Sequence, residues 1–180
     1  VISNPELTPV GDRVERFLRV TKSVSIPDDE TLDFDNSAFG RSRNQLMREI
    51  LGYTPIQPDG SVMVSVPANV PFAISIVDAN GQRISSRHNN WLQVIPGEVK
   101  TCNGCHTPSS ELPHGRRDAE AASINLGAPT NGGSFPGANP ALFTDIGETM
   151  AQTYARVLGL PELSPDIVFS DIWSNPATTV

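Results

Sequence analysis

Cysteine is scarce in this chain: Cys102 and Cys105 are the only two in 180 residues. Two thiols exclude an iron–sulfur cluster that takes four thiolates and an all-cysteine zinc site. Long apolar runs are missing as well. No stretch approaches the ~18 apolar residues of a membrane-spanning helix, so no membrane span is expected. The opening Val1-Ile2-Ser3-Asn4-Pro5 has neither the basic nor the apolar region of a signal peptide. Val1 is not an initiator methionine, so the expectation is a processed chain or a piece of a longer one. Basic residues are outnumbered, 13 against 20 acidic, for a formal charge of −7. That balance argues against nucleic acid and favours a protein partner with a basic docking patch.

What is abundant is punctuation. Sixteen prolines and fourteen glycines, with only 18% charged residues, predict short elements and frequent reversals rather than a helical bundle. The expected fold is α+β and loop-rich, an antiparallel β-meander or small sandwich with a few short helices, in one domain spanning 1–180. Within it, 1–35 is read as an extension, with Arg13 to Val24 extended and the acidic run from Asp28 to Asp35 a solvated loop rather than a calcium site. Leu46, Met47, Ile50 and Leu51, after Ser42 and before Gly52, predict a short amphipathic helix.

Residues 61–106 read as the meander leading into the chemistry. Val62, Val64 and Val66 alternate as one strand, and Phe72, Ile74 and Ile76 share a face of the next. Asn80-Gly81 predicts a two-residue hairpin, which would pair Val77 with Ile84 and Ala73 with His88. Thr107 to Gly115 and Ala128 to Pro140 are read as loops, with a short helix over Asp118 to Ser123 between them. Residues 140–158 predict a helix with Leu142, Phe143, Ile146, Met150 and Tyr154 on one face and Gly159 as its stop, and Asp166 to Trp173 a last strand.

The chemistry lies in Cys102-Asn103-Gly104-Cys105-His106. A C-x-x-C-H run is the attachment sequence of a covalent c-type haem: the two sulfurs take the vinyl groups and the next residue offers an imidazole to the iron. One haem c is therefore expected, on Cys102 and Cys105, with His106 as proximal ligand. Two rivals remain. A thioredoxin-like dithiol needs a βαβ context, which the Pro96-Gly97 turn before Cys102 does not supply. A zinc site would need two histidines four to six positions apart, whereas His106 and His114 are eight apart.

For the iron's other side the candidates are His88, His114, Met47, Met63 and Met150. His88 is preferred, because the hairpin register aims it over small neighbours, and His114 is the alternative, since eight residues span up to about 27 Å. Met47 and Met150 read as core. Trp91 is placed to pack the macrocycle edge, and Arg116 to hold a propionate. The expected role is electron transfer through a bis-histidine haem; the alternative is a catalytic or gas-binding haem with an open position, which leaves enzymatic activity an open question.

The run from Trp91 to His106, W-x4-P-G-E-x3-C-x-G-C-H in pattern, entered from the Asp78-to-Gly81 hairpin, resembles proteins related to the middle domain of the hydrazine synthase alpha subunit. The likeness is strongest over Val62 to His106. It implies Cys102 and Cys105 as thioethers, His106 as the haem-motif histidine, and an extracytoplasmic location in the periplasm or outside the cell. In that family the catalytic haem depends on a tyrosine shortly after the motif. Thr107 to Gly115 contains none, so the resemblance does not carry the activity. Relatives of this kind are commonly parts of longer chains.

Overall fold

A computed structural model of the protein describes residues 15–25, 28, 30–31, 47–84, 88, 90–102, 132–135 and 138–174. The expected helix over 118–123 lies outside them. Three strands form one antiparallel sheet: β1 (Arg16–Ser23), β2 (Arg48–Pro55) and β3 (Phe72–Asp78), in the order β2-β1-β3. With α1 (Met150–Leu158) this is a mixed α+β fold. It is not a meander. The first strand is the central one, so the stretch expected as an extension supplies the middle of the sheet.

The alternation foreseen for Phe72, Ile74 and Ile76 holds. Leu18 pairs with Ile76 and Val20 with Ile74, and this face packs with Ile56, Phe72 and Val94 into one apolar cluster. Val62, Val64 and Val66 pack against the same cluster without forming the expected strand. Their segment bonds outside the sheet: Gln57 N–H donates to the Ser61 carbonyl and Ser65 N–H to that of Pro161.

Where a helix is expected up to Leu51, the described residues from Arg48 are instead the start of β2. The helical spacing is outweighed by pairing with β1 from Phe17 to Ser23, since tertiary context overrides a weak propensity. Gly52 is not a helix stop. The β1–β2 register slips between Val20 and Thr21, from Gly52 to Ile50, and Gly52 adopts φ 149° beside the bulge. There its missing side chain lets the backbone of Ser164 approach: Tyr53 N–H donates to Ser164 O at 2.7 Å and Ser164 N–H to Tyr53 O at 2.9 Å.

The second apolar cluster holds Phe135, Ala138, Leu142, Met150 and Trp173, with Phe135 and Trp173 edge to face at 5.5 Å. Met150 is thus core, as read. The helix is nine residues long rather than nineteen, because Thr149 caps it with a full capping box to Gln152 and Gly147, at φ 77°, breaks the helical path ahead of it. Pro140 opens a turn instead, and Phe143 and Ile146 are exposed rather than buried on a helix face. Gly159 ends α1 as expected. Asp166 to Trp173 is not a strand; it turns at Ile172 and drives Trp173 into the core, its indole donating to Gln57 Oε1 at 2.6 Å. Among the described residues no helix is long and apolar enough to cross a membrane.

Candidate cofactor-attachment site

The hairpin after β3 is longer by one residue than Asn80-Gly81 suggests. Asp78 N–H donates to Gln82 O and Gly81 N–H to Asp78 O, so Ala79, Asn80 and Gly81 form a three-residue loop with Gly81 at φ 75°. The cause is the Asp78 side chain, whose Oδ1 accepts from the N–H groups of both Asn80 and Gln82 at 2.9 and 2.8 Å. Val77 therefore bridges Arg83, not Ile84.

Beyond it the return chain pairs loosely. Ile84 donates to Ile76 O, His88 to Ile74 O, and Leu92 exchanges two bonds with Phe72. Each step of two residues on β3 is met by four on the return. The register that set His88 opposite Ala73 does not hold. His88 is instead fixed by its own neighbourhood, with Nδ1 2.8 Å from the carbonyl oxygen of Asn90. A carbonyl only accepts, so Nδ1 carries the proton and the lone pair of the neutral ring sits on Nε2.

Trp91 is half-buried, and the guanidinium of Arg48 lies over its ring at 4.2 Å from the centroid. Nothing in the local residue pattern signals this partner. The two residues are far apart along the chain, and Arg48 was read within a helix that does not form.

Past Leu92 the chain makes an arm. Asn69 N–H donates to Val94 O, and Val94 is buried in the sheet cluster. From Ile95 to Cys102 every residue is exposed. Pro96-Gly97 turns the chain with Gly97 at φ 78°, the second-position glycine that a Pro-Gly type II turn requires. Glu98 closes it: its N–H donates to Ile95 O at 3.0 Å, and its Oε2 accepts from Ile95 N–H at 2.9 Å. That backbone bond, more than Lys100 Nζ at 3.4 Å, holds the Glu98 carboxyl below its usual range.

At the end of the arm Cys102 is an exposed, free thiol. Cys105, His106, His114 and Arg116 lie outside the described residues. In kind, Cys102 is a thiol such as a covalent haem c would take, and His88 has a ring nitrogen, Nε2, without a proton. Among the described residues, no group of three or more His, Cys, Asp or Glu side chains is assembled for a metal ion.

Residues 16–107 match the description of the hydrazine synthase alpha subunit middle domain. The chain belongs to this family. The hydrazine synthase alpha middle-domain region takes in all three strands, the arm and the whole C-x-x-C-H run, while α1 and the Trp173 cluster fall beyond it. A stretch of 59 residues is 32% identical to hydrazine synthase subunit alpha of Kuenenia stuttgartiensis, covering 33% of this chain and 7% of that protein. The chain therefore spans a small part of the length of that relative. No solved structure matches it.

Proposed function

We propose that this chain is a monohaem c-type cytochrome domain that transfers electrons, with Cys102 and Cys105 as the thioether anchors, His106 as the proximal ligand and His88 as the distal one. The observation that carries this reading is the free, exposed Cys102, the first residue of C-x-x-C-H, at the end of an arm held in shape by Glu98. When bound, the haem supplies a one-electron couple.

The protein's own residues supply orientation. Asn90 O holds His88 in the tautomer that presents Nε2, the arrangement by which metal-ligating histidines are commonly oriented through a backbone carbonyl. Arg48 covers one side of Trp91, leaving the rest of the indole to pack a macrocycle edge. The net charge of −7, to which haem propionates would add, suits a basic redox partner. Covalent attachment of this type places the domain outside the cytoplasm.

Expression in a host competent for c-type haem maturation tests the reading. The chain should gain the mass of one haem, keep its colour through acid-acetone extraction, and give a low-spin spectrum that carbon monoxide leaves unchanged. A bare-chain mass would remove the haem reading altogether. Covalent haem with a high-spin, carbon-monoxide-binding iron would replace electron transfer by the open-site alternative.

A further inference from the structure

The arm from Ile95 to Cys102 combines two properties that rarely coincide. It is exposed along its whole length, yet its turn is locked from within by Glu98, bonded to both polar groups of the Ile95 backbone. On this exposed arm two aliphatic side chains face outward, Ile95 at 62% and Val99 at 77% exposure. Leaving both in water forfeits the gain that burying their apolar surface would bring.

Their position relative to the attachment cysteine suggests what covers them. Val99 stands three residues before Cys102, at most about 10 Å along the chain. The turn then folds Ile95 back beside Glu98, within about 7 Å across the turn. A large apolar ring tethered to Cys102 has both side chains within its reach. We infer that Ile95 and Val99 are haem-contact residues, covering part of the macrocycle held at Cys102, and that Glu98 is the positioning residue that keeps them there. This rests on the haem reading above.

The test uses the full chain matured with haem, and its first measurement is mass. With one haem attached, Ile95→Ser with Val99→Ser should lower the midpoint potential, because wetting the macrocycle favours the ferric state. Glu98→Ala, which frees the turn and leaves both aliphatic side chains in place, should move it the same way. Val168→Ser, at a site 57% exposed and remote in sequence, should leave it unchanged. Hydrogen exchange at Val99 should be slower in the haem-bearing chain than in Cys102→Ser/Cys105→Ser. With haem attached, an unchanged potential in the double variant or equal exchange in the two chains would overturn the inference while the haem reading stands. A bare-chain mass would overturn both.

Discussion

The carboxylate of Asp59, a buried residue, accepts a hydrogen bond from the backbone N–H of Met150 at 2.9 Å. Its other oxygen takes the N–H and hydroxyl of Ser61, and Ser61 Oγ in turn accepts from Ala151 N–H at 2.9 Å. One short loop thus caps a helix 91 residues away.

Asp59→Ala should therefore destabilise the fold by about 2 kcal/mol, since the Met150 and Ser61 donors lose their acceptor. Burial pushes the Asp59 carboxyl above its ordinary 3.8, against the hydrogen bonds from Ser61 and Met150 that pull it down. A raised carboxyl pKa means that the folded chain binds this proton more tightly. The linked stability is full below 3.8 and lost as pH rises through the raised value. Urea unfolding of both proteins across pH should show the difference between them narrowing toward neutrality.

Glu148 should behave in the opposite sense. The Arg156 hydrogen bond, with help from Asp145 N–H and Thr153, lowers its carboxyl from 4.5 to about 2. Its contribution is full above 4.5 and is lost as pH falls toward about 2. Glu148→Gln should cost about 1–2 kcal/mol at pH 7, after allowance for solvent screening, and almost nothing near pH 2. A constant penalty across that range would show that the ion pair is not its source.

Gly52→Ala should be the costliest small change in the sheet. An added Cβ would meet Ser164 O at 2.6 Å and the Leu163 Cβ at 2.9 Å, at a φ of 149° that side chains avoid. We expect a loss of about 2–3 kcal/mol by thermal unfolding. Gly97→Ala, at φ 78° with nothing within 4 Å, isolates the backbone term and should cost only about 1 kcal/mol. Equal losses would place the cost at Gly52 in its backbone conformation rather than in the close approach of Ser164 O and Leu163 Cβ.

What was legible in the sequence is whatever local chemistry decides. The face shared by Phe72, Ile74 and Ile76, the Pro96-Gly97 turn and the Gly159 stop all follow from period or turn residues, and all are present. What was not legible depends on distant partners. Ile50 and Leu51 carry a helical spacing that pairing with β1 overrules, and Val62 to Val66 alternate like a strand but find Pro161 rather than a ladder. The hairpin departs from the two-residue form for a local reason: Asp78, standing before Ala79-Asn80-Gly81, binds two backbone N–H groups and lengthens the loop. Of the candidate site, the C-x-x-C-H run was plain, whereas Arg48 over Trp91 had no signature.

The same slip changes the ground on which His88 stands as distal ligand. Its direction no longer follows from a place opposite Ala73. It follows from the Nδ1 bond to Asn90 O, which leaves Nε2 as the atom that would coordinate. A bis-histidine iron is low-spin and of lower potential than a histidine–methionine one, because a thioether raises the potential. His88→Ala should therefore give a high-spin iron that binds carbon monoxide, while His114→Ala should leave the absorption spectrum nearly unchanged. The converse pattern would transfer ligation to His114. If neither substitution alters the spectrum, no histidine outside the motif reaches the iron, and the electron-transfer role loses its main support to an open coordination site.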